Sequence, residues 1–199
     1  KMRKEKKETK NDNDNDDEVL KNSSSINILD LNEFIKQKQL GTGRFSDVYR
    51  IEQKGTKKIF AAKISLQKIS KEVSQNILSE VNIMKSLDHP AILKFIGYSP
   101  VDFDHQPKPT IVTEYAMNGS LQNVIDNVTK YPKWDKTKKL ITIYGIVAGM
   151  SYLHEHSFLH NDLKPSNILL DENLYPKIAD FGLSQTIANR KNDEGPAKS

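Results

Sequence analysis

The sequence predicts an α+β chain in two parts: a mostly antiparallel sheet carrying one helix, then a hinge and a mainly helical part. Three observations carry this. Between Phe34 and Ile64 three short apolar runs are separated by glycine-bearing turns, the mark of neighbouring antiparallel strands. From Ser70 onward the apolar residues change to helical spacing. Beyond Asp135 a longer helical pattern follows, and only brief strand-like runs come after it.

Taken in order, Phe34 to Leu40 forms the first run and ends at Gly41 and Gly43, and Val48-Tyr49-Arg50-Ile51 forms the second. Lys54-Gly55 is a turn signal, and Ile59 to Ile64 is the third run. Val73, Ile77, Val81, Met84 and Leu87 fall on one face of a helix. Ser70 is its expected cap, Glu72 suits its positive end, and His89-Pro90 stops it. Ile92 to Ile96 and Thr110 to Thr113 are expected strands around a proline-bearing loop, Pro100 to Pro109. Asp135 is the expected cap of the long helix, with Leu140, Ile143, Val147 and Met150 as its buried stripe. Ile168-Leu169-Leu170 and Lys177-Ile178-Ala179 bracket a final turn, and no internal repeat is visible.

A chain of 199 residues suits one domain with a tail. Its 36% hydrophobic content is low for a compact chain and implies that part of it is solvated. That part is Lys1 to about Ser25, where Lys, Asn, Asp, Glu and Ser dominate and too little apolar area exists to offset chain entropy; disorder is expected there. The run Lys1-Met2-Arg3-Lys4-Glu5-Lys6-Lys7 has the composition of a nuclear address, but solvated tails carry such runs more often. The absence of cysteine excludes disulfides and thiolate metal sites and points to an intracellular, cytoplasmic setting. No stretch is apolar for long enough to span a bilayer, and no secretory leader opens the chain. A net charge of +4, interspersed with acid, does not call for a nucleic-acid partner.

Three motifs carry chemistry. In Leu40-Gly41-Thr42-Gly43-Arg44-Phe45-Ser46-Asp47-Val48 the glycines let backbone amides approach a phosphate. A strand rather than a helix follows, so this is no dinucleotide fingerprint. Lys63 lies in the apolar run Phe60-Ala61-Ala62-Lys63; either its ammonium snorkels to water at an edge or it meets a carboxylate, and Glu80, beside Val81, can supply one. The run Phe158-Leu159-His160-Asn161-Asp162-Leu163-Lys164-Pro165-Ser166-Asn167, with Asp180-Phe181-Gly182 after it, sets Asp, Lys, Asn and a second Asp on neighbouring loops. Those groups can orient a hydroxyl, steady a phosphate and hold magnesium. His154, His156 and His160 do not form a zinc helix motif, since Ser157 rather than Glu follows His156.

The order and spacing of these motifs resemble the eukaryotic protein kinases. The resemblance implies a two-lobed kinase-like fold, ATP and Mg2+, and transfer of the γ-phosphate to a protein Ser or Thr hydroxyl. It implies that Asp162 orients the hydroxyl, Lys164 steadies the γ-phosphate, and Asn167 and Asp180 bind the metal. Lys63 paired to Glu80 would hold the α- and β-phosphates beneath residues 40–48, and Ala61 and Leu169 would contact the nucleotide. Ile111 to Leu121 resembles the hinge, where backbone groups near Glu114 and Ala116 would bind adenine and Thr113 would gate the pocket behind it. His160, Phe181 and Met84 match a packed column of the family. Two departures stand out: Ser46 replaces the third glycine, and Asn161 replaces an arginine that in the family pairs with a phosphate on the activation loop, so less dependence on loop phosphorylation is expected. Asp162-Leu163-Lys164-Pro165 looks like the serine/threonine type, and Gly119-Ser120-Leu121 with Gly149 to His154 resembles the tyrosine-kinase-like branch.

The resemblance runs from about Phe34 to Ser199. It divides the chain into a charged leader, 1–27, and a partial kinase domain, 28–199, with a first lobe at 34–113, a hinge at 114–119 and a partial second lobe from 120. No Ala-Pro-Glu end is present, so Ser184 to Ser199 is expected to be an activation segment cut part-way, in a fragment with weak nucleotide binding and little activity. The competing expectation is a pseudokinase or nucleotide-binding scaffold. Retention of Lys63, Glu80, Asp162, Asn167 and Asp180 favours turnover.

Overall fold

The computed structural model describes residues 26–67 and 70–187. The disorder and the nuclear address expected of the leader, and the end of the expected activation segment, lie outside the described residues. Five antiparallel strands form one sheet in the order β1-β2-β3-β5-β4: β1 (Phe34–Thr42), β2 (Ser46–Gln53), β3 (Ile59–Ser65), β4 (Phe95–Ser99) and β5 (Thr110–Glu114). The central strand is β3, where Lys63 pairs with Val48 of β2 and Ile111 of β5. Strand alternation sends Ala62 and Ile64 into the core and leaves Ala61 and Lys63 on the opposite face.

Helix α1 (Lys71–Ser86) starts where Ser70 caps it, its Oγ accepting the Val73 N–H at 3.1 Å. Val81, Met84 and Leu87 are buried as their spacing predicts, and Glu80 and Ile83 are buried with them. The expected strand at 92–96 is displaced to β4. Residues 91–93 have their backbone groups engaged elsewhere: Leu93 N–H donates to the Ile178 carbonyl at 2.9 Å, and Ile178 N–H to the Ala91 carbonyl at 2.7 Å. Residues Ile26–Leu29, part of the expected leader included, are folded against the sheet, and a short 3-10 turn (Leu31–Glu33) leads into β1.

The second part holds α2 (Leu121–Asp126), which the sequence reading missed, and α3 (Lys136–Glu155), capped by Asp135 as expected, the Lys138 N–H donating to its carboxylate at 2.8 Å. Two short pairs complete it: β6 (Phe158–Leu159) with β9 (Gln185–Thr186), and the hairpin β7 (Ile168–Leu170) with β8 (Pro176–Ile178). The expected buried stripe of α3 is corrected. Leu140, Ile143 and Val147 are 68%, 60% and 62% exposed, Met150 is half-buried, and Thr142, Gly149 and Leu153 face inward. The helix is apolar on more than one side, so spacing alone does not choose a face. Its glycines do: a Cβ on Gly145 would lie 2.5 Å from Pro176 Cγ, and one on Gly149 2.7 Å from Ile178 Cδ1. The hairpin therefore seats on the glycine side.

One apolar cluster runs through both parts and includes Val81, Met84, Ile111, Leu153, Ile168, Ile178 and Phe181. A second, with Leu31, Phe34, Ile51, Ala62 and Val112, packs the other face of the sheet. The α+β arrangement expected from the sequence is thus present, the shared cluster joining Ile111 of β5 and Val81 and Met84 of α1 to Ile168 of β7 and Ile178 of β8. Among the described residues no helix is long and apolar enough to cross a membrane.

Candidate active site

A cavity of about 310 Å³ opens between the sheet and the β7–β8 hairpin. Its roof is the β1–β2 turn. Gly41, Thr42, Gly43, Ser46 and Val48 line it, whereas Leu40, Arg44, Phe45 and Asp47 do not. Phe45 is exposed under the Arg44 guanidinium, 5.1 Å from its ring centre, and the turn is closed by Gly43 N–H donating to the Ser46 carbonyl at 2.8 Å. The acceptor is a backbone carbonyl, so the bond does not depend on which residue stands at position 46.

The back wall is built by the register of β3. Lys63 Nζ lies 2.7 Å from Glu80 Oε1 and 3.0 Å from Asp180 Oδ1. The sequence offered a snorkelling lysine as the alternative; the side chain instead is 31% exposed and bridges two carboxylates from distant segments. Burial pulls the Lys63 ammonium down, but Glu80 and then Asp180 outweigh it and hold the group above the ordinary lysine value. Asp180 takes a left-handed backbone, φ 66°, a conformation for which Asp is better suited than most residues. Phe181 is buried directly after it and meets His160 edge-on at 5.2 Å. His160 in turn bonds the Ala179 carbonyl at 3.0 Å, and Met84 shares a cluster with Phe181. The three residues expected to stack thus fasten the Asp180 loop.

The floor comes from the loop after β6. Lys164 Nζ is 2.7 Å from Asp162 Oδ2. The Asn167 amide donates to both Asp162 Oδ2 and the Asp162 carbonyl, at 2.9 Å each. The Lys164 hydrogen bond leads in holding the Asp162 carboxyl below the ordinary carboxylate value; burial opposes it, and Asn167 assists. Asn167, Leu169 and Asp180 line the cavity, while Asp162 and Lys164 stand outside its lining.

Toward the hinge, Ala61 and Thr113 line the cavity and the Thr113 hydroxyl donates to the Glu114 carbonyl at 3.1 Å. Glu114 and Ala116 do not line it. The Glu114 side chain turns back, accepts the Lys94 N–H at 2.8 Å and pairs with Lys177 at 3.2 Å, which ties the hinge to β8. Sequence reasoning missed Leu93, Ile111, Ser166 and Ala179 as lining residues, and named Met84 only for its packing. Ile111 was findable, since it pairs with Lys63 across two apolar runs; Leu93 carries no local signal.

Asn161, like Asp180, has a left-handed backbone, φ 62°, and its amide donates to the Leu183 carbonyl at 3.0 Å. Ser184 Oγ donates to the His160 carbonyl at 3.2 Å nearby. A neutral amide therefore holds the stretch after Gly182 directly.

Comparison with known proteins gives the same picture. The protein kinase domain profile matches residues 34–198. The chain is 34% identical over 161 residues to the serine/threonine-protein kinase RUNKEL of Arabidopsis thaliana, covering 79% of this chain and 11% of that protein. It is 38% identical over 160 residues to receptor-interacting serine/threonine-protein kinase 3 of Homo sapiens, covering 79% of this chain and 29% of that protein. It is 33% identical over 168 residues to dual specificity testis-specific protein kinase 2 of Rattus norvegicus, covering 83% of this chain and 28% of that protein. The chain thus spans less than a third of each of these relatives. With an antiparallel sheet over a cleft, a Lys–Glu–Asp bridge at its back and the profile match along most of its length, the chain belongs to the protein kinase domain family.

Proposed function

We propose that the protein to which this domain belongs is an ATP- and Mg2+-dependent serine/threonine kinase that transfers the γ-phosphate to a protein hydroxyl. The observation that carries the reading is the meeting of Lys63, Glu80 and Asp180 at the back of a cavity also lined by Asn167. Phosphoryl transfer asks for positioning and charge neutralisation rather than covalent catalysis. Lys63, held as an ammonium by Glu80, contacts the α- and β-phosphates, while the amides of residues 41–43 approach them from above. Asp162, kept ionised by Lys164 and Asn167, orients the incoming hydroxyl and accepts its proton. Lys164 stands beside it to face the γ-phosphate. Ala61, Leu169 and Thr113 line the space for adenine, whose polar edge meets backbone groups near Glu114 and Ala116.

The donor set suits magnesium. Asp180 offers a carboxylate, and Asn167, whose N–H bonds are turned to Asp162, offers its carbonyl oxygen; both are hard oxygen ligands on the cavity wall. The ion would neutralise phosphate charge there. The similarity to proteins named serine/threonine kinases supports Ser or Thr as acceptor. The same reading divides the chain into a first lobe at 34–113, a hinge at 114–119 and a second lobe from 120.

Phosphoamino-acid analysis of a basic protein incubated with labelled ATP tests this, comparing the unsubstituted domain in its parent protein with Asp162→Asn. Phosphoserine or phosphothreonine, lost in the variant, is expected. Mg-ATP binding with no transfer from either protein would favour the scaffold reading, and phosphotyrosine alone would overturn the acceptor assignment.

A further inference from the structure

The family match begins at Phe34, and the cavity uses nothing before it. Even so, residues Ile26–Leu29 are built into the sheet. Tyr98 N–H donates to the Asn27 carbonyl at 2.9 Å, Leu29 N–H donates to the Tyr98 carbonyl at 2.8 Å, and Ile28 pairs with Tyr98 in parallel. The Asn27 side-chain amide also donates to the Ile96 carbonyl at 2.7 Å. The strand they join, β4, is the outer strand of the sheet, so this segment engages backbone groups that would otherwise face water.

The seat is shaped for it. Gly97 lies midway along β4, and a Cβ there would fall 2.5 Å from Leu29 Cγ and 2.8 Å from the Asn27 carbonyl oxygen. At the inner end of the segment Ile26 is only 9% exposed and joins the apolar cluster of Val81, Ile83, Met84 and Leu87. Those residues belong to or directly follow α1, which also carries Glu80. A helix laid on a sheet is held by side-chain packing, not by backbone bonds. The apolar residues in that seam lie on the same helix as Glu80, so their packing bears on where that helix rests.

We propose that Ile26–Leu29 is a positioning strap: docked on the Gly97 edge and filling the seam with Ile26, it holds α1 where Glu80 pairs with Lys63, and its withdrawal releases that pair. Ile26 is a positioning residue, acting on the phosphate-binding lysine through Glu80. The consequence for nucleotide rests on the function proposed above; the consequence for α1 does not.

The test uses the 199-residue chain with Ile26→Asn and, separately, Gly97→Val, each also placed in a Glu80→Gln background. Amide hydrogen exchange reads α1, and calorimetry reads Mg-ATP affinity. Both strap variants should speed exchange across Lys71–Ser86 about tenfold while β2 and β3 are unchanged. Mg-ATP affinity should fall about 3–10-fold, with no further fall when Glu80 is already Gln, and Ile26→Val should restore it. Unchanged exchange in α1 would overturn the proposal, and so would an affinity loss of the same size in the Glu80→Gln background. Global unfolding of both variants would overturn it as well, because the strap would then be general core rather than a device acting on α1. Should only one variant fail to fold, the other decides. Failure of the unsubstituted chain to bind Mg-ATP would count against the reading of the cleft and leave the exchange result to judge the strap.

Discussion

Replacing Lys63 with Met removes the cation between two carboxylates. Glu80 is 2.7 Å from Lys63 Nζ with its side chain 9% exposed, so in the variant a nearly buried carboxylate faces no cation. Breaking a fully buried pair costs about 3–5 kcal/mol, and breaking an exposed one about 0–1 kcal/mol. The Lys63 side chain is 31% exposed and that of Asp180 47%, which puts this bridge between the limits. A loss of about 2 kcal/mol is expected, which in a chain of this size lowers Tm by roughly 4–8 °C. Thermal unfolding at pH 7 measures it, together with Glu80→Gln and the double variant. Once Lys63 is gone, neutralising Glu80 should cost nothing or restore stability, giving a coupling of about 1–2 kcal/mol. A Lys63→Met protein as stable as the unsubstituted one, or single effects that simply add, would refute the reasoning.

The pH dependence follows from the same bridge. Lys63 is held above its ordinary value of 10.5, so its contribution is fully present below 10.5 and is lost as pH rises through the higher folded value; the stability gap to Lys63→Met should be level from pH 7 to 10 in denaturant titrations and shrink beyond. Asp162 is shifted the other way, so its carboxyl should titrate below 3.8 by NMR, and its stabilisation should be lost only as pH falls through that lower value. Gly149→Val should overpack the α3–hairpin contact and cost about 1–3 kcal/mol in urea unfolding, since its Cβ would meet Ile178 and the Ala91 carbonyl. Asn161→Ala should lose the Leu183 contact and a residue tolerant of φ 62°, so exchange at Ser184–Thr186 should rise about tenfold.

Strands β1 to β3 were legible because they rest on local chemistry, and the cleft residues were legible through their resemblance to the kinase motifs. Glycines at 41, 43 and 55 punctuate β1 to β3, and Ser70 and Asp135 cap helices that begin one residue later. Lys63 was conspicuous as a lysine in an apolar run, and its pairing with Glu80, beside the buried face of its helix, followed from the resemblance to the kinase motifs. What could not be read was set by packing between distant segments. The outward face of α3 follows from where β8 presses on Gly145 and Gly149, and the β4 boundary follows from Ala91 and Leu93 bonding Ile178. The expectation at Glu114 concerned its backbone; that its side chain accepts from Lys94 and pairs with Lys177 is set by partners no local pattern around the hinge reveals. The docking of residues 26–29 on β4 was not legible because Ile26 ends a polar leader, while the Gly97 that makes room for Leu29 and the α1 residues that cluster with Ile26 lie far along the chain.

The most direct measurement is calorimetric titration of ATP into the chain with and without Mg2+, repeated with Asp180→Asn. Convergence of Lys63, Asn167 and Asp180 on one cleft predicts that Mg2+ tightens ATP binding about tenfold or more, and that the substitution removes this gain. Affinity indifferent to Mg2+ in the unsubstituted chain, or a magnesium effect that survives without the Asp180 carboxylate, would contradict it.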